Sequence, residues 1–453
     1  MTSSLSARPV PPPDGPVRLL HAWTQTRRPA GWADHLACHG PLPLTGRPRS
    51  RGNPALIQLV DRAGLIGRGG AGFPTARKLA AVAAGHRVTT VVANGCESDP
   101  VSNKDQALLT LAPHLVLDGV AIAAHAVGAQ QAMLCIHRGN PLTSALRAAI
   151  ADRVDDPFAV QVVEVPPRYV ASAATALVNF LNTGQARPTT TPPHAAQRGV
   201  HGRPTLVDNV ETLAHLALIA RYGAQWYRSR GTPDSPGTTL ITVTGSVQRP
   251  GVYEIDYGAP LEHPLRLAGE QQPIQAVLLG GLAGQWLPLP AQRRLPLTEH
   301  ACRTAGIRMG IAALAALPIT SCGLAATAHI LRYLAGESAG QCGPCMFGLP
   351  AIAQDMTAIA QGAARAADAQ RLRRRLGVIP GRGACAHPDG AAGLAASALH
   401  VFARDLDAHL AGDPCPAAAA PSPLPLPEPP TTPEVGNDTP TPTFSRAAAH
   451  RSH

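Results

Sequence analysis

Three groups of residues in this chain have the types and spacing to do chemistry. The first is Gly67-Arg68-Gly69-Gly70-Ala71-Gly72-Phe73-Pro74-Thr75, four glycines in six residues with a helical pattern following from Ala76. Glycines let backbone N–H groups approach an anion without interference from Cβ, and a following helix adds the positive end of its dipole. Lys78 falls on the first turns of that helix, within reach of the same anion. The run is neither a Walker loop, since no Gly-Lys-Ser/Thr follows, nor a strict dinucleotide fingerprint. A plain tight turn is the bland alternative, and Lys78 favours phosphate.

The second group is the loop from Asn94 to Asp105, which leaves the end of a strand and offers an amide (Asn94), two carboxylates (Glu97, Asp99) and Lys104. Lys78 and Lys104 are the two lysines of the whole chain. Both fall at one end of the expected sheet, where open parallel sheets bind ligands. The third group is Cys342-Gly-Pro-Cys345 with Cys385 forty residues later. A Cys-x-x-Cys clamp plus a distant thiolate is iron–sulfur or zinc spacing, and His387 would complete a zinc site. A redox Cys-x-x-Cys would prefer a thioredoxin-like context, which is absent here. Cys96, Cys135, Cys302 and Cys322 are expected to pack as small apolar groups. Arg371 to Arg375 reads as a solvated helix face with the charge to dock an acidic partner.

These groups need elements to hold them. A short helix over 54–63, a helix from Ala76, strands at 88–93, 131–137 and 158–165, and helices near 112–128, 141–153 and 169–182 alternate. That alternation argues for an α/β layer with a largely parallel sheet. From Thr238 the texture turns β-branched, with the Arg-Pro-Gly of a tight turn before the next strand, so 238–320 reads as a small β-rich domain. From 321 to 412 the pattern is helical with short connections, which suggests a bundle. At 453 residues the chain has room for several domains. Nine of its 46 prolines fall in 1–50 and eleven in 413–453. The leader 1–53 and the tail 413–453 are therefore expected to lack order.

Composition excludes several classes. The net charge is +10, but 37 of the 39 basic residues are arginines, and they are scattered without interleaved aromatics. This argues against a nucleic-acid surface. The most apolar stretch, 115–136, is interrupted by Asp118, His125 and glutamines, short of the ~20 apolar residues of a membrane span. No signal pattern opens the chain, and nine irregularly spaced cysteines do not read as a secreted disulfide scaffold. A reducing cytoplasm is the expectation.

Taken in order, Gly67-Arg-Gly-Gly-Ala-Gly-Phe-Pro-Thr75, Asn94-x-x-Glu-Ser-x-Pro100, Gly202-Arg-Pro-Thr-x-Val-x-Asn-Val-Glu-Thr212 and Glu337-Ser-x-Gly-Gln-Cys-x-Pro-Cys345 resemble the flavoprotein (NADH-binding) subunit of respiratory complex I and related soluble diaphorase subunits. The resemblance runs from about residue 54 to 410. It implies a Rossmann-like FMN-binding α/β domain over 54–237, a β-grasp (SLBB-like) domain over 238–320 and a helical iron–sulfur bundle over 321–412. It places FMN on Gly67, Arg68, Gly69, Gly70, Lys78, Asn94, Glu97, Ser98, Val207, Asp208 and Asn209. The NADH side falls to Phe73 and Asp99, and the metal ligands are Cys342, Cys345 and Cys385. The implied chemistry is hydride transfer from NADH, or electrons from a protein donor, through FMN to the cluster. A ferredoxin or a [2Fe-2S] subunit is the implied partner, and a peripheral place in a membrane complex stays open.

The chain departs from the family pattern at defined places. The first cysteine of the family's Cys-x-x-Cys-x-x-Cys run is Ala339. Three thiolates suit a three-iron cluster, a [4Fe-4S] cluster with an open or non-cysteine fourth position, or a lost cluster; Cys322 is a further candidate ligand. The family's Tyr-x-x-Gly-Glu-Glu-Thr-Ala reads Tyr169-Val-Ala-Ser172-Ala173-Ala174-Thr175-Ala176, so both glutamates are alanines. A partner-binding scaffold without the chemistry is the second reading.

Overall fold

The computed structural model describes Gly15 and residues 17–44, 52–85, 88–154, 158–420 and 424–426. Most of the tail, and the ends of the leader, lie outside the described residues. Strands β1 (Thr89–Asn94), β2 (Ala129–His137), β3 (Val160–Val165) and β4 (Thr205–Asn209) form an all-parallel sheet in the order β3-β2-β1-β4. Strand β1 is Thr-Thr-Val-Val-Ala-Asn, β-branched and buried on both faces, as a sheet covered by helices requires. Helices Pro113–Val127 and Thr143–Ala151 carry the crossovers on either side of β2. The helix Pro54–Ala63 begins where Asn53 Oδ1 accepts the N–H of Ala55 at 3.1 Å and stops at left-handed Gly64.

The second sheet contains β5 (Thr238–Gly245), β6 (Gly251–Asp256), β7 (Ile274–Leu279), β8 (Gln285–Pro288) and β9 (Ala313–Pro318), ordered β6-β5-β9-β7-β8. Only the central β5–β9 pair is parallel. Helices Gly323–Gly336, Leu349–Ala360, Ala366–Val378, His387–Val401 and Ala403–Leu410 follow and share one apolar core with β7 and β9.

The leader departs from expectation. Residues 17–44 are described and contain helices His21–Thr26 and Trp32–His39. Glu254 accepts the N–H groups of Arg18, Leu19 and Leu20, and Arg18 Nη1 donates to the Trp226 carbonyl at 2.9 Å. His35, Arg153 and Arg221 converge on Asp118 at 2.7, 2.7 and 2.6 Å. Burial would raise the Asp118 carboxyl, but these three partners outweigh it and hold the group far below its usual range. The residue that interrupts the most apolar helix is thus the anchor for the leader. Among the described residues no single helix is long and apolar enough to cross a membrane. The bent pair Lys104–Leu111 and Pro113–Val127 passes by composition, but the second helix is buried almost throughout.

Helix Pro113–Val127 packs on helix Val210–Arg228 at Gly119, where an added Cβ would overlap the Leu213 carbonyl. Gly119→Ala is expected to lower stability by roughly 1–3 kcal/mol, read by denaturant unfolding. An unchanged midpoint would show that the two helices do not approach as described.

Candidate functional site

The strand order of the parallel sheet reverses between β1 and β4: the chain steps from β1 to β2 and β3 on one side and returns to β4 on the other. Ligands in open α/β sheets bind at the carboxyl ends of the strands flanking such a reversal. Here those ends are Asn94 and Asn209, paired across the sheet. Above them lies a cavity of about 560 Å³, within the range of small-molecule sites.

The cavity brings together most of the residues singled out from the sequence. Gly67, Gly69, Gly70, Phe73 and Lys78 line it from the glycine loop; Asn94, Glu97, Ser98 and Asp99 from the second loop; Val207, Asp208 and Asn209 from the end of β4; and Cys385 from the bundle. The glycine loop closes on itself, Gly67 N–H donating to the Phe73 carbonyl at 2.9 Å. Gly70 has φ +95°, and a Cβ there would crowd Ile311. The loop is therefore pressed against the second sheet's last connection.

Arg68 behaves differently. Its side chain turns away from the cavity and is buried: Nη2 donates to Tyr227 Oη and to the Thr238 carbonyl, both at 3.1 Å, and the guanidinium lies 4.1 Å from the Tyr257 ring centroid. Arg68 is a strut between the sheets, and a ligand-binding role for its side chain does not fit that placement.

Both lysines are held by carboxylates. Lys78 Nζ lies 2.6 Å from Asp208 Oδ1 and donates to the Val207 carbonyl at 3.1 Å. The other Asp208 oxygen is buried without a hydrogen-bond partner, on a residue that lines the cavity. Lys104 is fully buried, 2.6 Å from Asp105 and 3.1 Å from Glu211, and donates to Asn209 Oδ1 at 3.2 Å. Burial acts against its ammonium, but Asp105 and Glu211 more than compensate and hold the pKa above its usual value. Burial likewise opposes the Glu211 charge, yet Lys104, His215 and Arg68 bring that carboxyl down to about 2.

Three further groups shape the mouth. Glu97 accepts from Ser102 Oγ at 2.6 Å and from the N–H groups of Asp105 and Gln106, capping the helix Lys104–Leu111. Asn94 Nδ2 donates to the Ser172 carbonyl at 2.8 Å, which fixes the segment carrying Ala173 and Ala174 along the wall. Asp99 accepts from Tyr169 Oη at 2.9 Å and from Leu282 N–H at 2.8 Å. Burial is the largest influence on Asp99 and raises its pKa to about 6 despite those hydrogen bonds. Gly280, Ala283, Arg308 and Ile311 from the second sheet also line the cavity. Nothing local in the sequence marks them beyond the Gly280-Gly281 pair, both at positive φ.

Of the three candidate metal thiols only Cys385 lines the cavity; Cys342 and Cys345 stand outside the lining, near enough for Cys345 to feel both of the others. Burial pushes the Cys345 thiol up to about 12, with Cys342 and Cys385 adding to the rise and the Ala339 N–H opposing it. Cys342 precedes, and Cys345 lies within, a single wide turn, Pro344–Gly348, at the head of helix Leu349–Ala360. Ala339 contributes a backbone donor where a fourth thiolate would be a ligand. His387 also lines the cavity; its Nε2 is 2.8 Å from the Leu334 carbonyl and its buried Nδ1 has no partner. Cys322 is not part of this set: its Sγ lies 3.9 Å from His409 Nε2, beside Cys415. The structure therefore removes it as a fourth ligand.

Comparison with known proteins agrees with this layout. The family described as the Nuo51 FMN-binding domain matches residues 60–218, and the NADH-ubiquinone oxidoreductase-F iron-sulfur binding region matches 325–409. An NADH-quinone oxidoreductase subunit of Streptomyces coelicolor is 32% identical over 378 residues, covering 80% of this chain and 84% of the relative. An NADH-quinone oxidoreductase subunit of Rhizobium meliloti is 31% identical, covering 80% and 90%. Among solved structures, the NAD+-reducing [NiFe]-hydrogenase in the H2-reduced state superposes with a TM-score of 0.75 at 32% identity, covering 82% of this chain and 67% of that one.

The raised Asp99 pKa has a sign that can be measured. The folded state holds this proton more tightly than the unfolded chain, so the contribution is full below pH ~4 and is lost as pH rises through about 6. Relative to Asp99→Asn, the wild type should lose on the order of 2–3 kcal/mol of unfolding free energy between pH 4 and 7. Parallel urea titrations of the two proteins that differ by a constant amount across this window would remove the assignment.

Proposed function

Because this chain belongs to the family of NADH-quinone oxidoreductase subunits that carry the Nuo51 FMN-binding domain, we propose that it is an FMN-containing, NADH-oxidising electron-transfer subunit linked to an iron–sulfur cluster. The observation that carries the proposal is the continuity of the cavity, whose lining runs from the glycine loop and Lys78 to Cys385. The proposed flavin site thus reaches one of the three proposed cluster thiols, Cys385.

The residues fit FMN. Gly67, Gly69 and Gly70 present bare backbone to the cavity, Lys78 would supply a cation for the phosphate, and the second Asp208 oxygen lacks a partner that a ligand hydroxyl could provide. The thiols of Cys342, Cys345 and Cys385 fit a cluster held by three thiolates, with Ala339 leaving the fourth position to another ligand or to none. When bound, FMN supplies hydride acceptance and one-electron release. The protein's share is to orient and to exclude water. Lys104, Asp105 and Asn209 make a rigid floor, and Asn94 and Tyr169 set the wall along which the nicotinamide side would lie. Phe73, 44% exposed with Arg77 5.7 Å from its ring centroid, stands at the entrance.

The domain reading supported by this layout is a Rossmann-like FMN domain over 54–237, a β-grasp domain over 238–320 with its order β6-β5-β9-β7-β8, and an iron–sulfur bundle over 321–412. The proposed acceptor is a ferredoxin or a [2Fe-2S] subunit within a multi-subunit assembly, in the cytoplasm or at a membrane surface. Docking by the face Arg371–Arg375 is tempered by the structure: Arg371 and Arg375 are both paired with Asp355, which neutralises part of it. Ala173, Ala174 and Ala339 favour the second reading, a partner-binding scaffold that keeps the fold without the chemistry.

An anaerobic absorption spectrum, recorded before and after NADH, separates the two. Flavin and iron–sulfur absorbance that NADH bleaches is the expected result; bleaching by dithionite alone would overturn NADH as donor. A protein that stays colourless after reconstitution with FMN, iron and sulfide would leave the scaffold. Lys78→Met should weaken FMN retention by roughly 10–100-fold, the size of a charge-assisted hydrogen bond. Equal flavin content in variant and wild type would place the phosphate elsewhere.

A further inference from the structure

Two of the nine cysteines and one buried histidine meet outside the cavity. Cys322 Sγ, a nitrogen of His409 and Cys415 Sγ all lie within 4.8 Å of one another, the one such group among the described residues. They come from separated places in the chain. Cys322 caps the N-terminus of helix Gly323–Gly336, its sulfur accepting the Ala325 N–H at 3.4 Å. His409 sits in the last turn of helix Ala403–Leu410 with no exposed surface, and Cys415 follows in the segment that leaves the bundle.

The histidine is oriented as a ligand. Its Nδ1 faces the Ile359 carbonyl at 3.1 Å and can only donate there, so Nε2 carries the lone pair. That Nε2 is the nitrogen facing Cys322 Sγ at 3.9 Å, and it also accepts the Cys415 N–H at 3.1 Å. An imidazole whose outer nitrogen donates to a backbone carbonyl is the usual second contact of a metal-bound histidine. Tetrahedral zinc, with Zn–S near 2.3 Å and Zn–N near 2.0 Å, sets its ligand atoms about 3.5–3.8 Å apart. The Cys322–His409 separation of 3.9 Å is within a few tenths of an ångström of that, and the other two separations are no more than 4.8 Å, a modest contraction away. Two thiolates and a neutral imidazole carry a charge of about −2, which a divalent cation neutralises where bare thiolates would be costly.

We propose that Cys322, His409 and Cys415 bind a single Zn²⁺-class cation, separate from the iron–sulfur site, that clips the C-terminal segment to the bundle. A cation on Nε2 displaces the Cys415 amide, which lies on the half-exposed side where water can accept its proton. The clip has something to hold: Cys415, Ala417 and Ala418 pack on the bundle core, and the turn Pro416–Ala419 follows directly. Sulfur and imidazole donors favour zinc over magnesium or calcium, which take oxygen.

The test uses the full chain, purified anaerobically and freed of loose metal with a mild chelator, then titrated with Zn²⁺ or Co²⁺. Wild type and Cys342→Ser should both retain a zinc equivalent that Cys415→Ser lacks. Cys415→Ser should bind that equivalent on the order of 100-fold more weakly, while its flavin and iron–sulfur spectrum stays that of the wild type. Cobalt should give the visible bands of a tetrahedral thiolate site in wild type and lose them in Cys415→Ser. His409→Gln removes a buried ligand and is a second variant; Cys415→Ser, at a half-exposed position, keeps the test open if His409→Gln does not fold. Equal zinc and cobalt binding by wild type and Cys415→Ser would overturn the proposal. A Cys322–Cys415 disulfide, found by peptide mass in the anaerobically purified protein, would overturn it as well.

Discussion

Lys104 is the constraint around which the rest of this molecule is arranged. Its ammonium is fully buried, and a lone charge there would be prohibitive. Asp105 and Glu211 supply the opposite charges, and Asn209 bridges Lys104 and Asp105 by accepting from one and donating to the other at 2.6 Å. Those partners come from three elements: the first turn of helix Lys104–Leu111, the end of β4 and the first turn of helix Val210–Arg228. Glu211 reaches further, accepting from Thr239 Oγ1 and Leu240 N–H in β5 at 2.9 and 3.0 Å. One buried network therefore sets the floor of the cavity and locks the second sheet onto the first. Asn209, at the rim of the floor, cannot shift without breaking it.

The wall opposite is tied by as few groups. Asp99 links the second loop to Tyr169 and to the Leu282 N–H, and Gly281 is needed there because a Cβ would strike Asp99. Tyr169 in turn stands 5.3 Å, ring to ring, from His387 and 6.2 Å from Tyr333 of the bundle. Its N–H donates to Glu337 at 2.8 Å, just ahead of Ala339. The parallel sheet, the second sheet and the bundle thus meet around one side chain. Continuity between the glycine loop and the cysteines follows from this meeting and needs no shared sequence segment.

What is legible in the sequence is what local chemistry dictates. Glycine spacing, the scarcity of lysine and the Cys-x-x-Cys clamp each carry their reason within a few residues, and the cavity collects most of them. Arg68 misleads because its neighbours in sequence are glycines, whereas its partners Tyr227, Thr238 and Tyr257 lie over 150 residues away. Residues 17–44 resemble a tail because prolines on both sides dilute a segment containing Trp32, His35 and His39. The anchor for those residues, Asp118, looks from composition like a mere interruption of an apolar helix. Cys322 passes for a packing residue because His409 and Cys415 are far from it in sequence and close only once the bundle forms.

The two ends of the cavity differ in what their residues cost to keep, and that difference bears on function. At the glycine end Lys104, Asp105 and Glu211 satisfy one another without a ligand, but the second Asp208 oxygen has no partner and works against stability unless something binds. At the other end Ala173, Ala174 and Ala339 cost nothing and bind nothing through their side chains. A scaffold without a ligand would gain by an apolar residue in place of that one unpartnered acceptor. The acceptor stands instead beside Lys78, on the lined side of the cavity. A buried acceptor without a partner, next to a lysine in a chain that carries the FMN-binding domain, is the kind of group a bound flavin would satisfy.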